Sequence, residues 1–248
     1  MGQRIFLAGA SGTIGRRLVR LLCGAGHSVA GTTRSAEKAG MLEALGARPV
    51  IVDVFDALAL LRAARDFAPA VVVHQLTDLP PAVDPARMVG AIAGNARIRE
   101  EGTRNLVAAA IAAGARRIVA QSIAWLYAPG PEPHDEADPL DAAAEGDRAV
   151  TLRGVRALER AVLGSPPLSG AVLRYGQFYG PGTGRDTPTG STPIHVDAAA
   201  QAALLAIERE ADGIFNIAEP TPHLATDKAR RTLGWDPAFR LAETEEQP

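Results

Sequence analysis

Residues 4 to 15, RIFLAGASGTIG, leave this chain few folds to choose from. A short apolar run passes directly into three glycines, and Ile14, Leu18, Val19, Leu21 and Leu22 then follow at helical spacing. That pattern is strand, tight turn, helix. Glycines at a strand-to-helix turn let backbone approach a diphosphate closely, and the helix N-terminus offers free N-H groups and a favourable dipole. Gly9, Ser11, Gly12, Thr13, Ile14 and Gly15 are therefore candidate cofactor-binding residues, the plain alternative being a glycine-rich turn with no ligand.

The rest of the chain repeats the alternation. Strands are expected at 29–32, 50–52, 70–73, 117–120 and 171–173, and helices at 36–45, 57–65, 95–113 and 148–163. The wholly apolar strand at 70–73 suits a parallel strand covered on both faces. Regular alternation with right-handed crossovers gives an α/β fold with a Rossmann-type, doubly wound parallel sheet. From residue 176 glycine and proline loosen the pattern. This divides the chain into a dinucleotide-binding domain over 1–175 and a small, shortened C-terminal substrate region over 176–248, in which 198–209 and 227–233 read as helices and 214–217 as a strand. The end of the chain, AETEEQP, reads as frayed.

Composition narrows the partners. With 47% hydrophobic residues among 248 the chain can bury a full core, and a net charge of -2 gives no basis for binding nucleic acid or an anionic membrane surface. No stretch approaches the roughly 20 apolar residues of a membrane span. Cys23 is the only cysteine, which rules out an intramolecular disulfide and suits a reducing compartment, so a cytoplasmic protein with a small-molecule substrate is expected. No His, Cys, Asp or Glu set has recognised zinc spacing, and no metal is expected.

Gly9, Gly12 and Gly15 lie at steps of three. Further motifs are Asp53-Val54 after the third strand, Glu101-Gly102-Thr103-Arg104-Asn105-Leu106, Tyr179-Gly180-Pro181-Gly182, Ile194-His195-Val196-Asp197, Phe215-Asn216-Ile217 and Leu233-Gly234-Trp235. On these motifs the chain resembles the extended or atypical short-chain dehydrogenases/reductases, the NAD-dependent epimerase/dehydratase family, along nearly its whole length. The resemblance implies that Asp53 contacts the adenine and that the segment after the fourth strand, with Gln75 and Leu76, lines the cofactor. Relatives carry small alanines there. At the end of the second strand, Thr32-Thr33-Arg34-Ser35 lacks the acid that would bind a ribose diol, and Arg34 can pair with a 2'-phosphate. NADP is thus favoured and NAD remains possible, with Arg16 as an accessory group. Relatives also imply a homodimer through helices such as 95–113 and 148–163.

The resembling family uses a Tyr as acid or base and a Lys four residues later, which lowers the Tyr pKa. Lys38 and Lys228 are the only lysines here, preceded four residues earlier by Arg34 and Leu224, so no Tyr-x-x-x-Lys exists. Aligning Glu159 with the family glutamate puts Thr151 at the Tyr position and Val155 at the Lys position. Ile123 falls at the position of the catalytic hydroxyl, and Ser122 one place earlier. Ser122, equally readable as structural, and Tyr127, a substitute acid with no lysine to lower its pKa, are the remaining catalytic candidates, and Trp125 and Phe178 are candidate apolar walls, equally readable as core residues. The substrate segment between Gly182 and Pro193 is short, and Ala198 replaces a usual acid. Two functions follow: an oxidoreductase acting on a small carbonyl or sugar-derived substrate without the usual pair, or a catalytically silent dinucleotide-binding sensor.

Overall fold

A computed structural model of the chain describes residues 2–78 and 85–242. Its strands are β1 (Arg4–Ala8), β2 (Ser28–Thr33), β3 (Arg48–Ile51), β4 (Val71–His74), β5 (Arg117–Ile123), β6 (Ser169–Tyr175), β7 (Gln177–Tyr179), β8 (Pro193–His195) and β9 (Gly213–Ile217). The helices are α1 (Thr13–Gly24), α2 (Ala39–Ala44), α3 (Ala57–Phe67), α4 (Pro85–Arg97), α5 (Thr103–Ala112), α6 (Gly146–Leu163), α7 (Val196–Glu208) and α8 (Asp227–Leu233). Seven strands form one parallel sheet in the order β3-β2-β1-β4-β5-β6-β9. The order reverses direction between β1 and β4, which opens a crevice at the carboxyl edge.

Alternation along each strand divides the core. Ile5, Leu7, Val71, Val73, Val119, Leu173 and Tyr175 face α1 and α7, whereas Phe6, Ala8, Val72, Ile118, Ala120 and Val172 face α3, α5 and α6. Burial of both faces explains the near-continuous apolar strands. Residues beyond 176 are built into this body: β9 completes the sheet and the alanine-rich α7 packs on α1, while β7 and β8 form a separate two-stranded parallel ribbon.

Several boundaries differ from the sequence expectation. The helix expected from 95 begins at Pro85, and a π-helical turn, Ile98–Gly102, joins α4 to α5. The wider turn lies where Gly102 meets Val54: a Cβ on Gly102 would sit 3.2 Å from Val54 Cγ1. The helix expected at 36–45 is a 3-10 turn, Ala36–Lys38, followed by the short α2. β5 runs to Ile123, paired with β6 through seven residues, and this extension decides which side chains reach the crevice. From residue 243 the tail read as frayed lies outside the described residues.

Candidate functional site

The glycine turn is fixed by contacts that only glycine permits. Gly9 has φ +88°, and a Cβ there would lie 2.6 Å from the Gln75 carbonyl oxygen. A Cβ on Gly15 would lie 2.1 Å from the Gly9 oxygen, so α1 sits directly against the turn. Gly12 is different. Its backbone is extended and accessible to any residue, and an added Cβ would meet only the Gly9 oxygen, at 3.3 Å. As the N-cap of α1 it provides no side-chain cap, so the first-turn N-H groups stay available to a ligand.

Around the turn lies a cleft of about 990 Å³ along the carboxyl edge. All the sequence-derived cofactor candidates except Gly15 line it, and Gly15 supports the turn from behind. The Gly9 amide donates to Thr32 Oγ1 (3.2 Å), and Ser11 Oγ donates to Thr33 Oγ1 (3.2 Å), tying the loop to β2. At one end, Asp53 accepts the Phe55 amide (2.9 Å) and the Val54 carbonyl accepts Asn105 Nδ2 (2.9 Å). Arg34 stands at the rim, its side chain 63% exposed and 4.0 Å from Asp78. An exposed pair of that kind contributes about 0–1 kcal/mol and is readily exchanged for a phosphate. Gln75 and Leu76 form part of the wall below the turn.

The opposite end is lined by Gln121, Trp125, Gln177, Phe178 and Arg185. Trp125 and Phe178 are the apolar walls expected from sequence, and Gln121 was not anticipated. Arg17 was missed as well. It donates to Asp197 Oδ1 (2.6 Å), the Thr13 carbonyl (2.9 Å) and the Pro181 carbonyl (2.8 Å), joining α1, α7 and the Tyr179-to-Gly182 turn. Thr13 Oγ1 adds a bond to the Gly182 carbonyl (2.9 Å). Thr13 and Arg17 are one helical turn apart, the only trace of this clamp in the sequence.

Ser122 and Tyr127 lie elsewhere. Successive β5 residues face opposite ways, so Gln121 turns to the cleft and Ser122 to α6, where its fully buried hydroxyl donates to Glu159 Oε1 (2.8 Å). Arg174 bonds both Glu159 oxygens (2.9 and 2.7 Å) and the Tyr127 hydroxyl (2.9 Å), and Tyr127 donates to Asn216 Oδ1 (2.6 Å). Burial opposes the Arg174 charge, but Glu159 outweighs it and holds the guanidinium protonated. Burial raises the Tyr127 phenol above its ordinary range, and Arg174 offsets this only in part. Both candidate hydroxyls are thus spent inside a closed network.

Two of the three positions matched to the family's catalytic trio have become packing. Ile123 and Val155 belong to one buried cluster with Leu126 and Leu152, while Arg153, Arg156 and Arg160 stay outside. His74 is buried against Thr103 Oγ1 (3.0 Å) and accepts the Leu76 amide (3.3 Å); burial, with Arg99 nearby, lowers its pKa to about 4, so it is neutral. Among the described residues no His, Cys, Asp or Glu cluster has the arrangement of a metal site. His195 instead caps α7, and His134 stacks on Tyr127 and bonds Asp138 (2.9 Å). No helix among the described residues is long and apolar enough to cross a membrane.

This sheet order, crevice and glycine turn define an NAD(P)-binding protein of the oxidoreductase and epimerase fold. Residues 9–155 match the family model described as NAD(P)H-binding. The chain is 44% identical to a 3-diazoavenalumate denitrifying reductase from a Streptomyces species, over 96% of this chain and 84% of that protein. Solved structures of similar fold include the UDP-glucose 4-epimerase of Thermotoga maritima with UDP-glucose (TM-score 0.75, 19% identity, 96% of this chain and 94% of that one). Another is the Bordetella bronchiseptica enzyme WbmG in complex with NAD (TM-score 0.71, 19% identity, 97% and 91%). The chain belongs to the NAD(P)H-binding family.

Proposed function

We propose that this protein is an NADP(H)-dependent reductase that removes a diazo group from an aromatic carboxylate, rather than a reductase of carbonyls. The observation that carries this reading is the packing of Ile123 and Val155, two of the positions matched to the acid-base trio, in a buried apolar cluster inside a chain that keeps its dinucleotide cleft. Bound nicotinamide would supply hydride, which in net terms takes the place of N₂ on the ring carbon as the C-N bond breaks with its electron pair leaving on nitrogen. Carbonyl reduction builds an alkoxide that a nearby acid must protonate. Loss of N₂ builds no oxyanion and needs no acid, so a chain without a Tyr-x-x-x-Lys pair is suited to it. The similarity to the diazo-acting reductase points the same way. An aromatic ring is inferred because ring-bound diazonium groups persist long enough to be substrates.

The chain's own residues divide the work. Gly9, Gly12 and the first turn of α1 would receive the diphosphate, Asp53 and Val54 the adenine, and Arg34 with Ser35 and Lys38 at the same rim a 2'-phosphate. Trp125 and Phe178 would sandwich or flank the substrate ring, and Arg185 would meet its carboxylate. Ser122 and Tyr127 act through position, anchoring β5 to α6 and β6. Two copies would associate through helices such as α5 and α6, as the family resemblance implies.

The test is loss of nicotinamide absorbance on mixing the protein with NADPH and diazotised 3-aminobenzoate, against an enzyme-free control and a panel of aldehydes and ketones. Protein-dependent oxidation with the diazonium compound alone supports the proposal. Oxidation with carbonyls alone would restore the carbonyl reading, and cofactor binding without oxidation in either case would favour the sensor.

A further inference from the structure

The two apolar walls of the cleft are fixed in different ways. Phe178 packs against the main core and tilts onto the Tyr175 ring, with centroids 5.4 Å apart. Trp125 has no such support. Its neighbours Ala124, Leu126 and Tyr127 are buried in apolar clusters, whereas its own side chain is 38% exposed and belongs to no apolar cluster among the described residues. Trp125 nevertheless lines the cleft with Phe178. Its backbone is what places it. The Ala124 amide donates to the Tyr175 carbonyl (2.9 Å), and residues 126–128 then run antiparallel to 139–141, with Tyr127 opposite Leu140.

Arg148 locks this short ribbon. Its guanidinium donates through Nε to Asp141 Oδ2 (2.9 Å), through Nη1 to the Trp125 carbonyl (2.9 Å) and through Nη2 to the Tyr127 carbonyl (3.2 Å). Three acceptors held at once suit a planar fork of fixed geometry, which a lysine does not reproduce. Asp141 is itself oriented by the Ala143 amide (3.2 Å). Arg148 stands in the first turn of α6, where the helix dipole disfavours a cation, so helix stability does not account for it there. Two of its bonds instead flank the residue that carries the unpacked indole. We infer that Arg148 is a positioning residue: through the Trp125 and Tyr127 carbonyls it holds the indole in place against the ring of an aromatic substrate. This rests on the aromatic-carboxylate reading of the cleft. Arg148 does not itself line the cleft, so its effect falls on substrate binding and not on hydride transfer.

The experiment compares Arg148→Gln and Arg148→Lys with the wild type, each saturated with NADP+, using benzoate as the non-reacting aryl carboxylate. Acrylamide quenching of fluorescence reports Trp125, because the other tryptophan, Trp235, is 3% exposed. Before benzoate is added, quenching should rise and emission anisotropy fall in Arg148→Gln. Benzoate affinity and the KM for an aryl diazonium carboxylate should each worsen by about tenfold, the equivalent of one lost hydrogen bond, with kcat changed less than about threefold. Arg148→Lys keeps the charge without the fork and should recover only part of the loss. NADP+ affinity should stay within about twofold of wild type in both variants, since the adenine and diphosphate contacts are distant from the change. Unchanged quenching and benzoate affinity in Arg148→Gln, a fall in kcat at constant KM, or parallel loss of NADP+ binding would overturn the proposal. Wild-type protein in which benzoate fails to shield Trp125 would sink the aromatic-carboxylate reading instead, and the quenching without benzoate would still decide whether Arg148 places the indole.

Discussion

Replacing Gly12 with aspartate should separate folding from cofactor binding. Gly12 has extended backbone, φ -79° and ψ 174°, and the new Cβ meets only the Gly9 oxygen, at 3.3 Å. Aspartate is also a preferred N-cap, and relative to glycine it should leave the free protein unchanged or more stable by a few tenths of a kcal/mol. Its carboxylate would occupy the first-turn N-H groups of α1 and repel a diphosphate. In wild type, ligand at about 100 times its dissociation constant adds roughly 2.7 kcal/mol, a Tm rise of about 5–10 °C for a chain of this size. Thermal unfolding with and without NADPH should show that rise vanish in Gly12→Asp while the ligand-free Tm stays within about 2 °C. Gly15→Ala is the contrast, because its Cβ would lie 2.1 Å from the Gly9 oxygen, and the ligand-free protein should lose about 1–3 kcal/mol. A full ligand shift in Gly12→Asp would refute the placement of the diphosphate.

Three further outcomes follow from other parts of the site. Arg34→Ala should weaken NADPH binding by about 10- to 100-fold, the range for a charge-assisted hydrogen bond, with NADH little affected in parallel titrations. Ser122→Ala removes one partner of buried Glu159 and should cost about 1–3 kcal/mol in denaturant unfolding while NADPH affinity is kept; lost affinity with unchanged stability would return Ser122 to the catalytic list. His74 is neutral when folded and binds a proton more readily when unfolded, so its contribution is complete above pH 6.5 and falls away toward pH 4. Its share is roughly 3 kcal/mol across that window, measurable as the difference between the stability curves of wild type and His74→Gln.

The sequence exposed those features that have a period or a local grammar. Apolar strands alternate with amphipathic helices because both sheet faces are covered, and the glycine turn is legible because Gly9 and Gly15 admit no Cβ. The place of Arg34 at the cleft rim was readable because it directly follows β2. Features that depend on distant contacts were not. The start of α4 is obscured by Gly90 and Gly94 within its span, and the π turn lies where Gly102 meets Val54 across the fold. Arg17 is an ordinary helix arginine until Asp197, 180 residues away, is brought to it. Ser122 and Gln121 differ only in strand parity, so telling from sequence which of them reaches the cleft required the register of β5, which continues to Ile123.

In the proposed reaction hydride passes from the cofactor to a carbon that loses N₂, with no acid-base pair. Its most direct test is a reaction of the protein with NADPH deuterated at nicotinamide C4 and an aryl diazonium carboxylate, with the product examined by mass spectrometry and deuterium NMR. One deuterium is expected on the ring carbon that carried nitrogen, with one N₂ released per cofactor oxidised. Hydrogen drawn from solvent at that carbon, or N₂ released without cofactor oxidation, would contradict it.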